Sequence, residues 1–311
     1  MWRVLVTGGA GFVGSRLVRR IETEWPNAMV TVIDDFRSGD FHNLQGFRGD
    51  LIAQDLSQIE LTRYFAPKSL DAIFHLASIT DTREMDQRKM CWDNIESLRN
   101  LLRFAESART PITYVSSAAT YGIEARVNVE TDDRKPANVY GYSKVQLENL
   151  AQLYLDKPDN AGWVVNAVRY FNVYGPHEQH KGPMASMIYQ LYLQMKAGKR
   201  PRVFKHGEHK RDFVHVDDAV QCTLLAMDSG KAGVFNTGSG EACSFNDAIA
   251  ELNKALGTKL EAEYIENPFP FFQPFTQADL TRSRVELKYD PAFRLASGVA
   301  DYVAWLKRTG R

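Results

Sequence analysis

The chain is poor in cysteine, in net charge and in long apolar runs. Its three cysteines, Cys91, Cys222 and Cys243, stand far apart with no CxxC pair; this excludes a disulfide framework and a zinc ribbon and suits a reducing compartment. Lys plus Arg number 38 and so do Asp plus Glu, giving a formal charge of zero. No broad field therefore draws the chain to nucleic acid, and any anion must be held by a local site. No stretch reaches the roughly 18 apolar residues of a membrane span, and "MWRVLVTGGAGFVG" turns to glycine too soon for a signal peptide. Internal repeats and low-complexity linkers are lacking as well. The expectation is a soluble, cytoplasmic protein with neither a membrane nor a nucleic-acid partner.

What is present is a full core: 311 residues, 44% of them apolar, suit one large or two coupled domains. Short apolar runs recur along the first half: "RVLVT", "MVTVID" ending at Asp34, "LIAQDL" ending at Leu56, "AIFHLAS" ending at Ser78, "ITYVSS" ending at Ser117 and "VVNAVRYFNV" ending at Val173. Most are separated by enough chain for a crossover helix. Strands that are apolar throughout and joined by helices predict a parallel sheet covered on both faces, an α/β doubly wound fold. Beyond Val173 the spacing predicts a helix over about 184–197, short segments "FVHVDD" and "VFNTGS", and a helix opening at Ser244 with Asp247 in capping-box position. The run "NPFPFFQPF" (267–275) reads as an ordered wall or loop.

Gly9, Gly11 and Gly14 have GxGxxG spacing between a strand and a helix, and Asp34 ends the next strand 20 residues after Gly14. That context is the dinucleotide fingerprint: glycines admit a pyrophosphate to the helix N-terminus, and Asp34 is placed for an adenosine ribose. Asp34 favours NAD, while the nearby Arg37 leaves NADP possible. YxxxK occurs three times, from Tyr64, Tyr140 and Tyr192, but only "YGYSK" (Tyr140 to Lys144) opens a helix after a strand ending in serines. There a lysine one turn on can lower the phenol pKa so that the phenolate takes a hydroxyl proton, with Ser116 or Ser117 bonding the same substrate oxygen.

In order and spacing, "TGGAGFVG", Asp34, "QDL" (54–56), "HLAS" (75–78), Asn94, "SSAATYG", "YGYSK", "RYFNVYGP" (169–176) and "RDFVHVDD" (211–218) resemble the extended short-chain dehydrogenases/reductases that act on nucleotide sugars. The resemblance implies a Rossmann-type parallel sheet with a smaller C-terminal α/β substrate domain, divided as 1–173 plus about 212–240 and about 174–211 plus 241–311. It implies Tyr140 and Lys144 as catalytic pair, helped by Ser116 and Ser117. For the nicotinamide cofactor it implies Gly8, Gly11, Phe12, Val13, Gly14, Asp34, Asp35 and Arg37 on one side. Asp55, Leu56, Leu76, Ala77, Ser78, Asn94, Lys144 and Val173 complete that set. The nucleotide-sugar substrate would meet Asn172, Ser186, Gln190, Phe204, Arg211 and Phe272, and a homo-oligomer is expected. Dehydratases of the family carry an Asp-Glu pair where this chain has Ala118 and Ala119, so oxidation and reduction without elimination is implied.

Within the family, "NVYGYSK", "HKGPMAS", "KRDFVHVDD" and "FTQADL" (275–280) look most like the ADP-L-glycero-D-manno-heptose 6-epimerases of lipopolysaccharide synthesis. That likeness gives Lys181 a catalytic role. Pro183, Gln190 and Phe272 depart from the serine, histidine and tyrosine of that pattern, which bears on the sugar more than on the reaction. If a carbonyl arm rotates between oxidation and reduction, its oxygen needs a second proton-transfer group, and a desolvated Lys181 would serve beside Tyr140. The stretch "GPHEQHKGPMAS" (175–186) stays open to two other readings, a solvated loop or a metal site using His177, Glu178 and His180, the latter disfavoured because HxxH in a loop fixes no shared face; no metal is expected. Rival functions are a UDP-hexose 4-epimerase and, of another class, a non-catalytic NAD(P)-binding sensor.

Overall fold

The computed structural model describes residues 2–81, 84–267 and 273–310. The first half alternates β1 (Trp2–Thr7), α1 (Phe12–Glu24), β2 (Ala28–Asp34), β3 (Asp50–Ala53), β4 (Ala72–His75), α2 (Gln87–Glu106) and β5 (Ile112–Ser117). Next come β6 (Val127–Asn128), α3 (Val139–Leu155), β7 (Val165–Tyr170), β8 (Asn172–Tyr174), α4 (Met187–Lys196), β9 (Arg202–Phe204), β10 (Lys210–His215) and α5 (Val216–Asp228). The chain ends with β11 (Gly233–Thr237), β12 (Ala242–Ser244), α6 (Phe245–Leu256), β13 (Glu263–Ile265), β14 (Gln277–Ala278), α7 (Thr281–Leu287) and α8 (Leu295–Thr309).

Seven parallel strands lie in the order β11-β7-β5-β4-β1-β2-β3. Order reverses between β1 and β4, which places a crevice at the carboxyl ends of those strands. Successive side chains of β1 serve opposite faces: Leu5 packs with Leu98, Leu101, Leu147 and Leu150 of α2 and α3, while Val4 and Val6 pack with Leu17 and Ile21 of α1 and Val220 of α5. This is the expected doubly wound Rossmann-type sheet. Three small sheets, β12-β10-β8, β13-β9 and β14-β6, lie beyond it, next to an aromatic core of Tyr174, Tyr189, Tyr192, Phe213, Phe245 and Tyr302.

Several element limits differ from the sequence reading for physical reasons. "LIAQDL" pairs only to Ala53, opposite the end of β2 at Asp34, and "AIFHLAS" to His75, opposite the end of β1, with one further bond from Leu76 N–H to the Thr7 carbonyl at 3.0 Å. "VVNAVRYFNV" is two strands: Val173 N–H turns back to the Phe171 carbonyl at 3.0 Å, and β8 then pairs with β10. "FVHVDD" is half strand and half helix, since the His215 side chain caps α5 and Asp217 and Asp218 fill its first turn. α4 starts at Met187 under the cap of Ser186, and 179–184 is a 3₁₀ turn. The Ser244 and Asp247 capping box on α6 is present as expected. Most of "NPFPFFQPF" lies outside the described residues; Pro274 accepts from Lys210 N–H at 3.0 Å. Among the described residues no helix is long and apolar enough to cross a membrane.

Candidate active site

A cavity of about 970 Å³ follows the carboxyl ends of the central strands and runs on toward β8 and β10. Its far end is the glycine turn. A Cβ on Gly14 would stand 2.0 Å from the Gly8 carbonyl oxygen, so α1 meets the turn only because that side chain is missing. Gly11 caps α1 with no side-chain hydrogen bond to its N–H groups, and a Cβ there would meet only the Gly8 oxygen, at 3.2 Å. The first turn of α1 is thus open to the cavity, a fit for an anionic pyrophosphate. Gly8, Phe12, Val13, Leu56, Leu76, Ala77 and Ser78 line the same wall.

The Asp34 carboxylate accepts from Ala10 N–H and Phe36 N–H, each at 2.9 Å; burial raises its pKa against those bonds. Each oxygen keeps a lone pair for a ribose hydroxyl. Arg37 is tied to Asp35 at 2.6 Å, to Asp55 at 2.9 Å and to Asp93, a ring of carboxylates that its position in the sequence did not reveal. Asn94 lines the cavity, but its amide is used on the wall itself, accepting from Ile79 N–H at 2.8 Å and donating to Ser143 Oγ at 3.0 Å.

The reactive end is built on α3 and β5. Asn138 caps α3, and a Cβ on Gly141 would come 2.6 Å from the Ala119 oxygen; only glycine lets the helix start close enough to bring Tyr140 beside Ser117. Burial raises the Tyr140 pKa, and the Ser117 hydroxyl pulls it the other way. Lys144, one helical turn on, holds its Nζ 5.7 Å from the Tyr140 ring centroid and donates to Ser78 Oγ and to the Val115 carbonyl, both at 2.9 Å. Burial depresses Lys144 to about 7, against the pull of Glu148. The two serines also separate. Ser117 faces Tyr140, whereas Ser116 donates to the buried Glu148 at 2.6 Å, and Glu148 holds Arg169 at 2.7 and 2.8 Å.

A sequence profile of the NAD-dependent epimerase/dehydratase family matches residues 4–238. A solved ADP-L-glycero-D-manno-heptose-6-epimerase from Helicobacter pylori is 38% identical, with a TM-score of 0.90 over 98% of this chain and 96% of that one. Thermotoga maritima UDP-glucose 4-epimerase with UDP-glucose (27%, TM-score 0.89, 99% and 100% covered) and Bacillus cereus UDP-glucuronic acid 4-epimerase with UDP-glucuronic acid and NAD (27%, 0.87, 99% and 99%) are also similar. The chain belongs to the NAD-dependent epimerase/dehydratase family. It is accordingly an NAD-dependent enzyme of the nucleotide-sugar epimerase class.

In this family member the loop 175–186 reaches the cavity that Tyr140 also lines. His180, Lys181 and Ser186 line it. Lys181 is half-buried, with Nζ 5.8 Å from the Phe12 ring centroid; lost hydration lowers its pKa and the fully buried Glu178 opposes this. Glu178 also orders the loop, accepting from Gly175 N–H at 3.2 Å and Ser186 Oγ at 2.8 Å, so Ser186 is spent on capping and bracing. No group of three metal-ligating side chains occurs among the described residues. The histidines of the loop instead meet Asn43.

Of the residues expected on the substrate side, Asn172 and Arg211 also line the cavity, as does Val173 of the cofactor set. Arg211 is buried, donates to the Lys210 carbonyl at 2.9 Å and lies 5.7 Å from the Phe245 ring centroid; burial lowers it to about 10, so it stays cationic at neutral pH. Gln190 and Phe204 are not among the residues that line this cavity; Gln190 donates to the Gly182 carbonyl at 2.6 Å. Phe272 lies outside the described residues. Phe213, Phe245, Met184 and Met187 line the cavity and escaped the sequence reading, since apolar side chains there look like any core residue.

Proposed function

We propose that the enzyme inverts one carbon of a nucleotide-linked sugar, converting ADP-D-glycero-D-manno-heptose to ADP-L-glycero-D-manno-heptose. The observation that carries this reading is that Tyr140 from α3 and Lys181 from the 175–186 loop line one cavity that also holds Arg211. The similarity to the Helicobacter pylori enzyme supports the choice of sugar. Gly11, the open turn of α1, Asp34 and the segment 76–78 would hold NAD, which when bound accepts a hydride and returns it. Tyr140 takes the hydroxyl proton while its carbon is oxidised, with Ser117 holding the oxygen. Once the carbonyl arm has rotated, Lys181 gives a proton to the oxygen in its new place as the carbon is reduced from the other face. Arg211 pairs with the diphosphate and keeps the nucleotide still while the arm turns. Ala118 and Ala119 follow Ser117 with methyl groups, which supply neither acid nor base for loss of water. The same proposal divides the chain into a nucleotide half built on the large sheet and a sugar half built on the small ones.

Turnover of ADP-heptose measured beside UDP-galactose tests the sugar. Preference for UDP-galactose would favour a 4-epimerase, the activity named for the Thermotoga maritima relative. Lys181→Met should lower kcat by roughly 10²-fold with NAD binding intact. A rate within a few-fold of normal would sink the two-group mechanism.

A further inference from the structure

We propose that Asn43 is a positioning residue whose side-chain amide clasps the loop bearing Lys181, through His177 and His180, onto the glycine turn. This rests on the functional reading above for what Lys181 does. Asn43 lies in the 3₁₀ turn that follows β2 and is only 3% exposed. Its Nδ2 donates to the Ala10 carbonyl at 3.0 Å and lies 3.1 Å from His180 Nδ1; its Oδ1 lies 3.4 Å from His177 Nδ1.

The protons follow from these contacts. A backbone carbonyl only accepts, so the atom facing Ala10 must be the amide nitrogen, which settles the orientation of the side chain. Its second N–H then points at His180 Nδ1, which must carry a lone pair. His180 is therefore neutral with its proton on Nε2, and His177 gives its Nδ1 proton to Oδ1. Both amide donors and one acceptor lone pair are used.

The contacts bridge parts of the chain that share no sheet. Glu178 ties the same loop to Ser186 and α4, and Gln179 ties it to Tyr302 of α8 at 3.1 Å, so what Asn43 adds is the tie to the glycine turn. His177 adopts φ 77°, a left-handed conformation that costs energy for a non-glycine residue, and its ring packs 5.1 Å from Trp305. Protonation of His180 would turn Nδ1 into a donor facing a donor and open the clasp. Around that ring, burial and Lys181 disfavour the cation, Asp40 and the His177 backbone carbonyl favour it, and Arg37 lines a small hollow shared with Asp40 and His180.

Asn43→Ala should lower kcat roughly 10-fold while KM for the sugar and the affinity for NAD stay within about threefold, because a displaced proton-transfer group affects the reaction more than binding. His180→Ala should do the same. His180→Asn puts an amide oxygen near the place of Nδ1 and should recover most of that loss. The unmodified enzyme should lose kcat as acid protonates His180, at a pH below the ordinary imidazole range because burial lowers its pKa, and His180→Asn should abolish that fall. Independently of turnover, nitrogen chemical shifts of labelled imidazoles in the enzyme should show His180 protonated on Nε2 alone at pH 8. Unchanged kcat in Asn43→Ala, failure of His180→Asn to exceed His180→Ala, or a proton on His180 Nδ1 would overturn the clasp. If no nucleotide sugar is turned over, the functional reading fails, and the nitrogen shifts still decide whether the clasp exists.

Discussion

Ser116 and Ser117 are neighbours in β5 and differ in everything that matters, because successive strand residues face opposite ways. Ser117→Ala should lower kcat roughly 10-fold or more and, because its Oγ also accepts from Ala119 N–H at 3.1 Å, cost about 1 kcal/mol, as read from steady-state kinetics and denaturant unfolding. Ser116→Ala leaves a lone pair of the buried Glu148 unmet, so it should cost about 1–3 kcal/mol in unfolding and change kcat little. Lys144 adds a pH signature. Its folded-state pKa, about 7, lies below its ordinary value, so the folded state disfavours the cation. The resulting penalty is fully present below pH 7 and is relieved as pH rises toward the unfolded value near 10.4. Lys144→Met should flatten that rise between pH 7 and 10 in unfolding experiments; an unchanged slope would refute the assignment. Of these three residues the sequence marked the motif but left two serines open. Which one faces the tyrosine depends on strand register, which spacing alone does not settle.

At the scale of elements, the start of α3 decides the geometry of the reactive end. Gly141→Ala would drive a methyl into the Ala119 carbonyl; the helix start must shift, and both activity and stability should fall, the latter by about 1–3 kcal/mol. Ser244→Ala gives the contrast. It removes the capping box that starts α6 next to Phe245 of the cavity wall and should cost about 1 kcal/mol, with a smaller effect on kcat than Gly141→Ala. Elements with their own local signal were legible: the glycine turn, the apolar strands, the Ser244 cap. Elements limited by a partner were not. β3 and β4 end where β2 and β1 end, and no pattern within "LIAQDL" or "AIFHLAS" records the length of a neighbouring strand.

For the molecule as a whole, the ends of β2 and β3 and one face of α2 converge on Arg37. Asp35, Asp55 and Asp93 hold its guanidinium, with Asp34 beside them, so a 2′-phosphate there meets carboxylates instead of a free cation. NADP should therefore bind roughly 10-fold or more weakly than NAD, and fluorescence titration of both cofactors checks this; equal affinity would contradict it. From sequence, Arg37 alone left NADP open, because Asp93 is 56 residues away and nothing in its surroundings announces a contact. Asn43 was invisible for the same reason, a polar residue in a turn whose partners lie more than a hundred positions on. The ordered motifs made the fold and the reactive tyrosine legible, while pairings over long separations emerge only from packing.

The passage from β7 to β8 across the single residue Phe171 has its own consequence. The last ladder bond to the large sheet, Phe171 N–H to the Thr237 carbonyl at 3.0 Å, is followed within two residues by pairing with β10, and α5 begins directly after β10. No slack separates the two sheets at either crossing. Amide hydrogens of β8 and β10 should therefore exchange with solvent through the same global opening as those of β5 and β7, and a ligand held at one end should slow exchange at both.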